Sequence, residues 1–301
     1  MHKSSIVGRG QIDKIIFNFL SYTIVGIFAL ACILPFYLVV IGSFSDERTI
    51  ITEGYSLVIK KFSLEAYKLI FKNPISIIRA YEITIFVTVV GTICNLFITL
   101  MTAYVLARKD FPWRNGIMFF FFFTTLFNGG LVPWYLLCSE VLKFNDKIYA
   151  LILPLMFSVW NMIIATNYIR NNIPFEIIES AKIDGAGDFT MFIKLIVPLC
   201  KPLTATLALF TALAYWNDWY NCMLFIRNEN MYTLQYYLQE LLNSAEAIRR
   251  IAEKSGRIVQ ALPMESTKMA MTVIATGPII LLYPFLQKYF IKGITIGALK
   301  G

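Results

Sequence analysis

Apolar residues run along this chain in long blocks, and the polar ones collect in the gaps. Five blocks carry no charge, over residues 15–45, 83–107, 115–139, 148–169 and 269–287, and a sixth, 202–226, is interrupted only by Asp218. About 20 apolar residues suffice for a helix to cross the hydrocarbon of a bilayer, and a helix in lipid pairs its own backbone polar groups. The pattern predicts an all-α membrane protein with six transmembrane helices, over about 16–43, 82–107, 115–137, 148–169, 201–226 and 269–290, in a single transmembrane domain over 1–301.

Charged residues make up only 15% of the sequence and hydrophobic ones 57%, with a mean hydropathy of +0.64. A soluble domain carries roughly a quarter charged residues. The 27 Lys and Arg against 19 Asp and Glu leave a net charge of +8. These basic residues lie scattered between the blocks, without a basic helix or interleaved aromatics, so they fit membrane flanks and not nucleic acid. Cys32, Cys94, Cys138, Cys200 and Cys222 sit in or beside apolar blocks with no CxxC pair, as small core residues do. The sole histidine is His2, which argues against histidine-based triads and zinc sites. Although Lys3, Arg9 and Lys14 give the chain a basic start, the first block is too long for a cleaved signal peptide and reads as an uncut signal anchor.

Prolines at 35, 133, 154, 278 and 284 fall inside the predicted spans, and Asn128-Gly129-Gly130 interrupts the third. Such breaks are tolerated where neighbouring helices or a water-filled cavity satisfy the freed backbone groups. Taken together they suit a transport pathway, although any one of them is equally a kink in helix packing. Lys and Arg divide almost evenly between the two sides, so charge alone leaves orientation open. The short 108–114 loop, with Arg108, Lys109 and Arg114 against one acid, favours a cytoplasmic N-terminus.

Between the fourth and fifth spans, residues 170–202 are too charged to cross a bilayer. Pro174 suits a first helical turn, Glu176 and Glu179 its positive end, and Gly185 the position just past its end, which predicts a short helix over 174–184. A second helix begins near Asp188, as N-cap, and stops before Pro198. Phe175, Ile178 and Ala181 share one face at helical spacing, and Ala181, Gly185 and Ala186 permit close backbone approach. On residue types alone, this is either a force-transmitting helix or an interfacial amphipathic helix without a partner.

Glu179-Ser180-Ala181, Asp184-Gly185-Ala186, Phe192, Ile196, Pro198 and Pro202 resemble the EAA loop of permease subunits in ATP-binding-cassette (ABC) importers, usually E-A-A-x-x-x-G, with Ser180 replacing an alanine. Residues 127–133, Trp216-Asn217-Asp218-Trp219 and the ending from Gln287 are similar to MalG-like carbohydrate permeases, closest to a branch serving oligosaccharides. The resemblance implies the MalG-like fold with a cytoplasmic coupling helix that docks in a cleft of a separate ATPase, which places both termini in the cytoplasm of a bacterial inner membrane. It also implies a second, different permease subunit, two ATPase subunits and an extracytoplasmic solute-binding protein whose cleft the 227–268 loop enters. The coupling residues it implies are Glu179, Ala181, Asp184, Gly185 and Ala186, with Phe175 and Ile178 as packing anchors, and with Gly297, Lys300 and Gly301 near the ATPase at the C-terminal end. No Gly-Lys dipeptide occurs, so the phosphate-cradling G-x-x-x-x-G-K-[ST] loop is absent. This chain is expected to be non-enzymatic and to bind no cofactor or metal, with ATP and Mg on the partner ATPase.

Sugars take aromatic faces against their C–H surfaces and amides or acids against their hydroxyls. Asn128, Trp134 and Tyr135 in the third span, Trp160 and Asn161 in the fourth, and Trp216, Asn217, Asp218, Trp219, Tyr220 and Asn221 in the fifth supply such groups. Asp218, ionisable within a span, is singled out as functional. It also supports the rival reading of an ion-coupled secondary transporter, against which stands the lack of an internal repeat. Equally, the aromatics suit an interfacial belt, and Asp218 suits a hydrogen bond to a neighbouring helix.

Overall fold

A computed structural model describes residues 6–254 and 263–298. His2, Lys300, Gly301 and residues 255–262, within the 227–268 loop, lie outside the described residues. Among the described residues the chain is helical, with an isolated bridge between Ser45 and Phe62 and no strand. The helices are α1 (Ile6–Ser43), α2 (Glu47–Glu53), α3 (Glu65–Ile70), α4 (Pro74–Ala107), α5 (Arg114–Leu126), α6 (Leu131–Leu136) and α7 (Val159–Asn172). Then follow α8 (Phe175–Ile183), α9 (Asp188–Met191), α10 (Val197–Leu199), α11 (Lys201–Trp216), α12 (Tyr220–Phe225), α13 (Leu234–Lys254) and α14 (Met264–Ala298). The chain forms two compact units, one from the segments up to Lys72 and Leu242–Thr276, the other from Asn73–Leu241 and the segment from Gly277.

In the first unit, α1 carries the first predicted span with its apolar side chains exposed around the helix, as a lipid-facing span does. Beyond it, the buried carboxylate of Glu47 holds the start of α14. Its Oε1 accepts from the backbone N–H groups of Met264 and Glu265, each at 2.9 Å, and its Oε2 accepts from Ser266 N at 2.9 Å and Ser266 Oγ at 2.8 Å. These are donors that a helix start cannot pair internally, and the carboxylate lies at the positive end of the helix dipole.

The second unit is organised around α4, which packs against α7 and α11. Pro74 sits at its first turn, where a missing N–H costs nothing. A side chain at Gly91 would run into the ring of Tyr215, so glycine permits the close approach of α4 and α11. The buried Tyr215 hydroxyl donates to Ile152 O at 2.8 Å. One turn along α4, buried Asn95 donates to Leu155 O at 3.0 Å and accepts from Thr211 Oγ1 at 3.2 Å and Thr99 Oγ1 at 3.4 Å. Its amide thus ties α11 and the segment before α7 to α4.

Two described helices, Asp13–Ser43 within α1 and α4, are each long and apolar enough to cross a bilayer, and three bent pairs add up to three further spans. The third predicted span bends by 115° between α5 and the pair formed by α6 and the π-helical turn Leu137–Val141. The fourth is no single helix: Ile148–Leu151 and Leu153–Leu155 form 3-10 turns before α7 begins at a 48° bend. Pro154 lacks the N–H a continuous helix would need, and Ser158 Oγ starts α7 anew by accepting from Asn161 N at 3.3 Å. The third bent pair joins Asp188–Leu199 to α11 at 83°, and the fifth predicted span stops with α11 at Trp216 before the chain resumes as α12. The sixth falls within α14.

Candidate functional site

The helix expected over 174–184 is α8, with Pro174 as its N-cap and Asp184 as its C-cap. Its end is a Schellman turn. Gly185 takes φ +80°, its N–H donates to Lys182 O at 3.0 Å, and Ala186 N–H donates to Ala181 O at 2.9 Å. The glycine of the motif is therefore a backbone requirement. Ala181 and Ala186, joined by that hydrogen bond, both pack on the core beneath. Ser180, the departure from alanine, satisfies its hydroxyl by donating to Glu176 O at 2.9 Å.

Ile178 is buried and Phe175 half-buried in a cluster with Leu100, Tyr104, Ile169 and Phe192. These two expected packing anchors hold α8 to its own chain. Glu179, Asp184 and Gly185 are exposed. Sequence reasoning missed Ile183, 86% exposed, and Phe189, 64% exposed, beside them. Their signal was available: both are large apolar residues in a polar loop, off the buried face.

The loop between α4 and α5 clamps this segment. Arg108 makes a two-pronged contact with Asp110, at 2.9 and 2.6 Å, and reaches Asp188 at 2.5 Å, while Lys182 of α8 reaches Asp110 at 2.8 Å. Asp188, expected as an N-cap, is instead the first residue of α9, with Gly187 at the cap, and its carboxylate serves Arg108. The hydrogen bonds from Arg108, and then from Lys182, hold the Asp110 carboxyl far below the usual carboxylate range. A depressed pKa stabilises the folded form above the ordinary value and ceases to do so only as pH falls through the depressed one. The stabilisation contributed by Asp110 is thus complete above about pH 4. Asp110→Asn should raise hydrogen exchange across 175–186 at neutral pH by no more than about fivefold, as befits partly exposed pairs, and should match the unaltered chain in strong acid. Identical exchange at pH 7 would remove the clamp's role.

Among the expected substrate-path residues, Asn128, Trp134 and Tyr220 come together with Gly129, Gly130 and Pro133 around an open cleft of about 570 Å³. Asn128 Oδ1 accepts from Gly130 N at 2.8 Å, shaping the break that forms one wall. Trp219 lies edge-on to Tyr220, with centroids 5.9 Å apart. The other candidates go elsewhere. Tyr135 stacks on Phe225 in the core, with centroids 5.8 Å apart, and Trp216 is buried beside Tyr81. Asn161 is buried, donating to Thr211 Oγ1 at 3.4 Å, and Trp160 is 71% exposed. Asn217 donates to Leu213 O at 2.9 Å and accepts from Gln235. Asp218, two residues before α12, accepts from Asn221 N at 3.2 Å and Asn221 Nδ2 at 2.8 Å. At the C-terminal end, Gly297 lies in the last turns of α14.

No family model matches the chain. The chain is 37% identical to the polygalacturonan/rhamnogalacturonan transport system permease protein YtcP of Bacillus subtilis (strain 168), over 95% of this chain and 99% of that protein. It is 39% identical to Protein LplC of the same organism, over 89% of this chain and 90% of that one. Among solved structures it is similar to a chain of a bacterial ABC transporter involved in the import of the acidic polysaccharide alginate, with a TM-score of 0.75 and 27% identity over 96% of this chain and 100% of that chain.

Proposed function

Because the chain belongs to the permease subunits of ABC importers for sugars, we propose that its segment 175–189 is the surface through which a separate ATPase drives transport. It is an integral inner-membrane protein and a non-catalytic subunit, working with an ATPase and a solute-binding protein. The observation that carries the coupling reading is the division of this segment: Ile178 of α8 is buried in the core, while Glu179, Ile183 and Asp184 at the end of α8, and Phe189 in α9 beyond the Gly185 turn, are exposed. An exposed apolar pair amid charges suits a protein partner, and Glu179 suits an arginine of that partner.

The substrate is an oligosaccharide, the class to which the resemblance of the sequence points. The Asn128, Trp134 and Tyr220 cleft lies on its path, offering two aromatic rings and an amide without a charge. A second, different permease subunit completes the pathway, and two ATPases bind below with ATP and Mg, none of it held by this chain. Both termini lie in the cytoplasm, with Gly297, Lys300 and Gly301 toward the ATPase, and α13 lies on the outer side with the solute-binding protein. Asp218, hydrogen-bonded to Asn221 within its own chain, lends nothing to an ion-coupled mechanism.

The test is uptake and binding-protein-stimulated ATP hydrolysis by the co-purified complex across an oligosaccharide panel. Glu179→Ala and Gly185→Trp should insert normally, and cysteine labels at 108–115 and 174–190 should react only from the cytoplasm. Uptake should be abolished in the glycine variant and reduced in the glutamate one. Undiminished uptake in both, or labelling from outside, would overturn the assignment.

A further inference from the structure

A pocket of about 460 Å³ lies between the start of α8 and the ends of α4, α5 and α7, and the coupling reading assigns no role to its cations. Four cations line it, Arg108, Lys109, Arg114 and Arg170, with Glu176 as the only acid in the lining. Arg108 is committed to Asp110 and Asp188. The other two guanidinium groups donate to neutral acceptors: Arg114 to Arg108 O at 3.2 Å, and Arg170 to Leu106 O at 2.7 Å. Neither makes an ion pair among the described residues, yet Arg170 lies close enough to Arg114 to feel its charge. Two like charges facing one cavity repel unless an anion lies between them.

The position of the pocket identifies the anion. At its rim α4 ends at Ala107, α5 begins at Arg114 and α7 ends at Asn172. These helices carry three predicted spans, so the pocket lies where acyl chains give way to headgroups. Trp113, 72% exposed and next to Arg114, suits that interface. The lining also includes Tyr104, Ile169, Ile173 and Ile178, apolar enough for the glycerol end of a lipid. Basic pockets between transmembrane helices bind anionic headgroups in this way. We propose that this pocket holds the phosphate of an anionic phospholipid, with Arg114 and Arg170 as its main ligands and Lys109, over the Phe175 ring at 5.7 Å, linking it to α8. The inference rests on the membrane placement of α4, α5 and α7, and needs no docked ATPase.

The experiment uses the complete transporter and also the permease pair freed of ATPase, both washed of bulk lipid. Titration with phosphatidylglycerol or phosphatidylcholine is followed by native mass spectrometry. Phosphatidylglycerol should bind the Arg114→Gln/Arg170→Gln variant roughly thirty-fold more weakly than the unaltered chain, while phosphatidylcholine binds both alike. The Arg114→Lys/Arg170→Lys variant should retain most of the affinity. Equal binding of phosphatidylglycerol in the Gln variant, or equal loss in the Lys variant, would overturn the proposal. Displacement by inorganic phosphate would assign the site to a soluble anion instead. Lipid binding by the ATPase-free pair but none by the complete transporter would overturn it, because an acidic side chain of the ATPase would then fill the pocket in the assembled complex. Because the readout is binding to the permease pair itself, its failure leaves the coupling surface of α8 untouched.

Discussion

Ile183→Asp should leave the chain inserted and folded while lowering binding-protein-stimulated ATP hydrolysis and uptake at least about tenfold. Nothing in this chain depends on the side chain, which is 86% exposed at the end of α8. If the ATPase covers it, however, the lost burial is worth about 1.5–3 kcal/mol, and a carboxylate in its place adds a desolvation cost. Basal ATP hydrolysis by the free ATPase should be unaffected, and Ile183→Leu should be nearly normal. Co-purification of the ATPase gives an independent reading of the same surface. Stimulated activity equal to that of the unaltered transporter would move the docking surface away from this end of α8.

A larger effect on stability is expected at Glu47. Glu47→Ala strips three backbone N–H groups and the Ser266 hydroxyl of their acceptor at the start of α14, and Met264 and Ser266 are buried. An unsatisfied buried donor costs about 1–3 kcal/mol, so the loss should reach about 3 kcal/mol or more. Thermal unfolding in detergent should begin several degrees lower, with Glu47→Gln intermediate, because its amide accepts through one oxygen only. The control is Glu53→Ala, which breaks a half-exposed pair with Lys60 and should change stability by no more than about 1 kcal/mol. Melting of Glu47→Ala at the unaltered temperature would show that water replaces the carboxylate.

Several contacts that organise the molecule were not legible in the sequence, for a common reason. Asn95 reads as one polar residue in an apolar block, yet its amide is shared by groups sixty and more positions away. Arg108 and Asp110 read as loop charges, and only the fold brings Asp188 and Lys182 to them. Similarly, the aromatics of the fifth block share one sequence pattern, but Trp216 is buried while Tyr220 lines the cleft. In a chain so apolar, hydropathy does not separate lipid-facing positions from helix-facing ones.

The sequence by itself determined the all-helical membrane class, the apolar blocks and the short helix that became α8. These follow from local causes: run length against bilayer thickness, proline and glycine at helix ends, and the left-handed backbone that Gly185 supplies. Only the tertiary structure decided where the fourth and fifth spans break, that the third bends by 115° at its Asn-Gly-Gly, and which polar residues share a cavity. Those outcomes depend on pairing between distant segments. A proline or a glycine pair permits a bend, but whether the chain bends there depends on partners such as Asn95 that satisfy the freed backbone groups.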